Sequence, residues 1–476
     1  MLNLEPKRVF HFFEEINKIP RNSGDEKRVS DFILAWAKEQ GFDAVQDEYY
    51  NLVIKKGPSA GYETSEPVIL QAHRDMVCEK TPESSHDFTK DPITMRVDGD
   101  WVSSDCGTSL GADNGIGVAY AMAILEDDSL QHPPLEVIFT VCEESTFDGA
   151  ANISTDLFSG KRIINLDNAE ENQVLAGSCG GSGINFALPL HWEQAPSDGI
   201  FYKLYIDGME GGHSGEDIHR GRGNAIELLI RLIRDEDISL CSMKAGSYRL
   251  AIPRDGYCTV MVGSGKENDL KEHVEEMAEV FKREYLAAAP ALSVRMEKTE
   301  AEEVLTPADK KKIVQIIDLF PNGIAKMNGA IPGVVESSNN VGTIEVGDGR
   351  LFITAETRAA YMTTVKDILD KVDSLADLFG AEVTYFGGYV PWEYNPDSKL
   401  RLKAQEVYRK MFGEEMYSLV AHAGIECAMF IEKDPEMDAI AIGPNCEYFH
   451  SPGERMSIKS TQKMYKFVVE LLKNLK

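Results

Sequence analysis

A chain of 476 residues has room for about three domains of ordinary size or two large ones, which excludes a peptide hormone or a minimal binding module. Its 43% hydrophobic and 9% aromatic content is that of a folded globular protein, not of a disordered or fibrous one. The 49 basic against 78 acidic residues leave a net charge of −29, which repels a phosphate backbone, so nucleic acid is not an expected partner.

Met1 to Lys7 leads into no apolar leader segment, and no run of about 18 apolar residues offers a membrane span. Eight cysteines with no CxxC pair read as reduced thiols, and the expected compartment is the cytoplasm. A first helix is predicted from Pro6 to Asn17. Ser23 and Glu26 form a capping box for a second, amphipathic one over Val29 to Lys38 that stops at Gly41. Short apolar runs then precede acidic or imidazole residues: Pro67 to Gln71 before His73, Leu135 to Cys142 before Glu143, and Arg162 to Leu166 before Asp167. These predict buried strands of an α/β sheet. Asp113 to Asp127 carries Ile116, Val118, Ala119, Met122, Ala123 and Leu125, a helix entered through the turn Gly111-Ala112-Asp113.

Two glycine-rich stretches, Gly177 to Gly183 and Gly387 to Pro391, read as hinges around an α+β insert. The insert has strand-like runs at Phe201–Ile206, Tyr257–Val262, Ala291–Met296, Leu351–Thr354 and Glu382–Phe386, and helix-like runs at Asn224–Arg234, Asp269–Leu286 and Lys366–Phe379. The α/β pattern resumes with the strand Met437–Ile442 and the helix Thr461–Leu472, so both chain ends are expected to build one domain.

His73, Asp113, Glu143 or Glu144, and Asp167 fall at or just after predicted element ends, where open α/β sheets place their sites, and His450 lies in the returning segment. Two imidazoles and three carboxylates suit zinc, manganese or cobalt better than calcium. Three acids on three separate loops exceed the needs of one catalytic ion, so two ions fit better. Asp75 shares an extended face with His73 and can orient its imidazole. The side chains of Glu143 and Glu144 diverge, so one can bind metal while the other serves as general base toward the attacking water. Any one of these residues alone is compatible with a structural role; their joint occurrence carries the reading.

The segments Gln71-Ala-His-Arg-Asp-Met-Val-Cys-Glu-Lys80, Leu110-Gly-Ala-Asp-Asn-Gly-Ile-Gly117, Thr140-Val-Cys-Glu-Glu144, Ile164-Asn-Leu-Asp167 and His450-Ser-Pro-Gly-Glu-Arg455 closely resemble the M20 metallopeptidases, in particular the bacterial aminoacyl-histidine (Xaa-His, carnosinase-like) dipeptidases. Gly211 to Ala225 and Ala421 to Cys427 match as well. The resemblance implies a zinc-peptidase-like catalytic α/β domain, 1–180 and 396–476, interrupted by an inserted α+β lid (dimerisation) domain, 181–395, that carries a homodimer contact. It implies two Zn2+ ions per chain, with Co2+ or Mn2+ as substitutes, held by His73, Asp113, Glu144, Asp167 and His450. Asp113 is then the bridge, with a cis peptide bond to Asn114; Glu143 is the base and Asp75 the orienting acid. On the lid, His213 is implied to reach a partner's site and polarise the scissile carbonyl. Arg358 and Asn340, with backbone at Ala423 and Gly424, are implied to hold the substrate's carboxylate and backbone.

The chain departs from the family pattern at Cys142, at Ser145 to Phe147, at Asn168 to Glu171 and at Arg74. No ligand is lost, but the surroundings of Glu143 change. The expected activity is hydrolysis of short dipeptides with a free C-terminal carboxylate, Xaa-His among them. An M20 amidohydrolase acting on N-acyl amino acids is the neighbouring alternative, and a non-catalytic dimeric scaffold the remote one.

Overall fold

The computed structural model describes residues 2–329 and 331–476. The chain forms two compact units, Met1–Gly177 with Trp392–Val420 and Ile425–Lys476, and Ser178–Pro391 with Ala421–Gly424. Sequence alone leaves Ala421–Gly424 with the returning catalytic segment. The structure groups it with the second unit, because Cys179 N–H donates to Ala421 O at 3.0 Å and His422 Nε2 pairs with Ser338 Oγ at 2.7 Å.

The first unit is built on a sheet whose strand order is Asp43–Gln46, Leu52–Lys56, Leu135–Thr140, Val68–His73, Arg162–Asn165, Asp438–Ala441, Gln173–Ser178 and Tyr417–Ala421. Val68–His73 runs parallel to Leu135–Thr140 on one side and to Arg162–Asn165 on the other, and Asp438–Ala441 continues the parallel run. Every residue of Val68–His73 and Leu135–Thr140 is buried, as continuous apolar strands covered on both faces must be. The helix Lys7–Asn17 buries Val9, Phe10, Phe12, Phe13 and Ile16. The helix Ala112–Glu126 is buried around nearly its whole circumference, which its apolar run dictates.

The second helix spans Lys27–Glu39, and the capping box expected at its start is absent: Glu26 sits at the cap position with no side-chain cap. Ser23 donates instead to Asp75 Oδ2 at 2.8 Å, and Glu26 Oε1 accepts Cys142 N–H at 2.9 Å. Both side chains are drawn away from the helix by groups distant in sequence.

The second unit holds an antiparallel sheet in the order Ser293–Thr299, Ile200–Asp207, Gly256–Val262, Ser239–Ala245, Val335–Gly347, Arg350–Ala359, Gly180–Pro189 and Glu382–Tyr389. The helices Ala225–Ile233, Glu267–Glu284, Pro307–Leu319 and Met362–Phe379 contribute to its apolar core. The two glycine stretches read as hinges contain the borders between the units, at Gly177/Ser178 and Pro391/Trp392, but are largely strand rather than turn. Gly180 to Gly183 pair with Arg350–Ala359, and a Cβ on Gly181 would come within 2.5 Å of Thr357 O, so this glycine serves close approach between strands. Gly387 and Gly388 lie at a register shift in Glu382–Tyr389. All eight cysteines are free thiols, and among the described residues no helix is long and apolar enough to cross a membrane.

Candidate active site

Parallel pairing of the three central strands brings their carboxyl ends together, and each end carries a functional group. His73 closes Val68–His73, Glu143 and Glu144 follow Leu135–Thr140, and Asp167 follows Arg162–Asn165. Asp113 enters from the start of the helix Ala112–Glu126, where its backbone is non-helical and its peptide bond to Asn114 is cis. His450, at φ 55°, comes from the returning chain.

The two imidazoles approach opposite oxygens of one carboxylate. His73 Nε2 lies 2.9 Å from Asp113 Oδ1, and His450 Nε2 lies 3.4 Å from Asp113 Oδ2. His450 Nε2 is also 2.9 Å from Glu144 Oε2, and His73 Nε2 is 3.6 Å from Asp167 Oδ2. Two donor groups result, His73 with Asp113 and Asp167, and Asp113 with Glu144 and His450, the donor atoms of each lying within 4.8 Å of one another. A third group of this kind joins His73 to Glu143 and Glu144.

Fully ionised, the four carboxylates of these groups would hold more negative charge than the two imidazoles balance. Burial raises Asp167 well above the ordinary carboxylate range, reinforced by the Asp113 charge. Burial raises Glu143 likewise, and Glu144 to about 7 with the help of Asp113. Burial opposes charge on His450, but its bonds to Asp113 and Glu144 prevail and lift it to about 11. Asp113 would be raised by burial too, yet the two imidazoles hold it well below the usual range. An N/O donor set of this composition and charge fits divalent zinc, cobalt or manganese.

Asp75 has more partners than its spacing from His73 suggests. Its Oδ1 accepts Glu143 N–H and its Oδ2 accepts Glu144 N–H, each at 3.1 Å. His73 Nδ1 lies 3.3 Å from Asp75 Oδ1, at ion-pair distance but without hydrogen-bond alignment. Asp75 therefore fixes the Glu143-Glu144 turn as well as facing the imidazole. Glu144 pairs with His450, whereas the Glu143 carboxylate enters none of these hydrogen bonds.

Several surrounding groups escaped the sequence reading. Glu426 Oε2 accepts Gln71 Nε2 at 2.6 Å and Thr140 Oγ1 at 2.8 Å; Gln71 Oε1 accepts Asn165 Nδ2, and Asn165 Oδ1 accepts Asp167 N–H at 3.0 Å. One buried network thus joins the three strand ends, and burial lifts Glu426 to about 7. Arg74, already noted as a departure from the family pattern, is buried and donates to Tyr50 O and Thr140 O, with its pKa lowered by burial to about 10. Glu426 lies in a segment already singled out at Ala421 to Cys427, which was the available signal.

In the second unit Arg358 is 4% exposed; its Nη1 donates to Tyr389 OH at 2.6 Å and its Nη2 to Ser214 Oγ at 3.4 Å, while Nε has no hydrogen-bond partner. Burial excludes a surface ion pair as its role. Asn340 donates its amide hydrogens to Arg249 O and Ala251 O, both at 2.9 Å, leaving only Oδ1 toward any substrate. This bond has a second use, since Ala251 bridges to His213. His213 Nδ1 accepts the N–H groups of Glu216 and Gly215, so the neutral ring carries its proton on Nε2. His422, next to Ala423 and Gly424, is lowered to about 3 by burial and then by Arg358, and is therefore neutral.

A model of the peptidase family M20/M25/M40 matches residues 69–474. The chain is 35% identical over 477 residues to the cytosol non-specific dipeptidase of Escherichia coli K12, spanning 99% of this chain and 98% of that protein. It is similar to the crystal structure of aminoacylhistidine dipeptidase from Vibrio alginolyticus, with a TM-score of 0.87 and 34% identity over 99% of this chain and 97% of that one. A tripeptidase from Staphylococcus aureus shares the fold at a TM-score of 0.60 and 17% identity, over 99% of both chains.

Proposed function

We propose, from the premise that the chain belongs to peptidase family M20/M25/M40, that it is a metal-dependent dipeptidase acting on dipeptides with a free C-terminal carboxylate. The observation that carries this reading is the pair of donor groups sharing Asp113, with one oxygen facing each imidazole. Ionised Asp113, Glu143, Glu144 and Asp167 carry four negative charges, which two divalent cations balance. His73, Asp113 and Asp167 would hold one ion and Asp113, Glu144 and His450 the other, with zinc the first choice and cobalt or manganese as substitutes.

Bound there, the ions would supply Lewis acidity to the scissile carbonyl and make a water acidic enough to attack near neutral pH. Glu143, whose backbone is pinned by Asp75, takes a proton from the attacking water. The C–N bond breaks, and Glu143 passes that proton to the departing amine. Asp75 orients rather than transfers, because each of its oxygens is engaged by a backbone N–H.

The second unit contributes recognition. Arg358, with an unpaired Nε–H, and the backbone at Ala423 and Gly424 take the substrate's carboxylate. The Nε2–H tautomer of His213 suits donation to a carbonyl oxygen, and we assign it that role across a homodimer formed by the second unit. Asn340 acts mainly by holding the Arg249–Ala251 segment against His213. The cytoplasm suits eight free thiols and a relative described as a cytosol dipeptidase.

Xaa-His preference is the narrower part of the reading, drawn from the Vibrio relative, whereas the Escherichia coli relative is called non-specific. Both relatives are dipeptidases, which disfavours the N-acyl amino acid alternative. Release of amino acids from a panel of dipeptides and N-acyl amino acids, with metal content measured in parallel, tests the proposal. Dipeptides should be cleaved by protein holding two ions per chain, and turnover confined to N-acyl amino acids would overturn it.

A further inference from the structure

The segment His450 to Arg455 contains a carboxylate to which the reaction assigns no role. Glu454 is 2% exposed, yet its two oxygens accept four consecutive backbone N–H groups. Oε2 takes Leu110 at 2.7 Å and Gly111 at 2.9 Å; Oε1 takes Ala112 at 2.8 Å and Asp113 at 3.2 Å. The first N–H groups of a helix have no partner within it, and here one carboxylate satisfies the entry to Ala112–Glu126. An ionised carboxylate offers about four lone-pair sites on two oxygens, a capacity that neither an amide nor a hydroxyl can match.

The other side of the same turn is held by a buried cation. Arg21, also 2% exposed, donates Nη2 to Gly111 O at 2.6 Å and to Asn17 Oδ1 at 3.0 Å, and Nη1 to Arg74 O at 2.9 Å and Asp75 O at 3.1 Å. Gly111 has φ 70°, and a Cβ there would collide with the Arg21 guanidinium, so the turn is shaped to receive it. Glu454 thus ties the His450 loop to the Asp113 turn, and Arg21 ties that turn to the segment following His73.

We infer that Glu454, assisted by Arg21, is a positioning residue that sets Asp113 between His73 and His450 so that its two oxygens serve two ions. This inference rests on the two-ion reading above. It gives the chain's last segment a second task beside supplying His450, namely aiming the carboxylate that both ions share. Glu454 touches neither substrate nor reacting atoms in this arrangement.

Glu454→Gln keeps the volume but turns one oxygen into a donor facing two N–H groups, so two of the four bonds are lost. Glu454→Asp keeps the charge and shortens the reach. Metal-free wild type and both variants are titrated with Zn2+ by equilibrium dialysis and with Co2+ by visible absorption, with circular dichroism as the check of fold. Loss of a group that orients a metal ligand typically weakens metal affinity about 10- to 100-fold, and that is the expected result for Glu454→Gln. A changed Co2+ spectrum should accompany it, the fold should persist, and Glu454→Asp should lie between. Two ions bound by Glu454→Gln with wild-type affinity and spectrum would overturn the inference alone. Failure of both variants to fold, with or without metal, would overturn it too, since Glu454 would then be a stability residue only. A wild type that binds fewer than two ions would overturn this inference together with the reading on which it rests.

Discussion

Asp75→Asn tests the most specific hydrogen-bond arrangement in the site. The substitution preserves side-chain volume and replaces one oxygen by an NH2 group. Because Asp75 Oδ1 accepts Glu143 N–H and Oδ2 accepts Glu144 N–H, either orientation of the amide sets a donor against a donor. The residue is fully buried, so water cannot repair the mismatch. An unpaired buried donor costs about 1–3 kcal/mol, and the remaining bonds lose their charge assistance, so the Glu143-Glu144 turn should be destabilised by about 3–4 kcal/mol. If the transition state bears that cost, kcat falls roughly 10²- to 10³-fold at about 1.4 kcal/mol per decade. Asp75 does not touch the substrate in this scheme, so KM should change little. The assay is steady-state hydrolysis of alanyl-histidine at saturating Zn2+, with metal content and thermal unfolding measured on the same preparation. A kcat within a factor of about three of wild type, with two ions retained, would refute the argument that this carboxylate positions the base.

Glu143→Gln should keep its metal and lose turnover by about 10²- to 10⁴-fold, the usual cost of removing a general base; if Glu144→Gln behaves so instead, the two roles are exchanged. Amidating the substrate's C-terminus should lower kcat/KM about 10- to 100-fold by removing a charge-assisted contact, and Arg358→Met should be nearly indifferent to the amidation. Mixing Glu143→Gln chains with His213→Ala chains should restore activity where one subunit completes another's site; verified mixed dimers with no recovery would remove His213 from that role.

Much of the first unit is legible in the sequence because its strands are continuous apolar runs that end in polar residues. The apolar segments before His73, Glu143 and Asp167 predict strands, and parallel pairing then converges their ends without further information. Ser23 and Glu26 show where such reasoning stops. Their spacing satisfies a local helix-capping rule, but a buried Asp75 and the Cys142 N–H compete for the same oxygens and win. The glycine stretches mark the borders of the second unit as expected, but their local conformation is strand rather than turn, because flexible turns and close strand contacts use the same residue and only the strand partners distinguish them. Glu426 and Glu454 stand in matching segments, but their roles, like that of Arg21, were not legible because each acts chiefly on backbone or side chains dozens to hundreds of residues away.

The acidic surface leads to a final prediction, because a net charge of −29 and capture of a carboxylate act over different distances. At 0.01 M salt the screening length is about 30 Å, so an approaching anion experiences much of the protein's charge; at 0.15 M it is about 8 Å, and only nearby groups matter. The contact proposed between the substrate's carboxylate and Arg358, which is buried, would lie inside either length and be hardly screened. Salt should therefore leave binding at contact nearly unchanged while relieving repulsion during approach. A zwitterionic dipeptide has no net charge, whereas one with an acidic side chain is anionic and suffers the full repulsion. The ratio of kcat/KM for alanyl-alanine over glutamyl-alanine should be larger at low salt and fall by up to about tenfold as ionic strength rises to 0.15 M, the low end of electrostatic effects on association. The measurement holds metal loading constant and varies only an inert monovalent salt. A ratio independent of ionic strength would show that global charge does not govern access, and a ratio that rises with salt would place the dominant field at a cationic entrance rather than across the acidic surface.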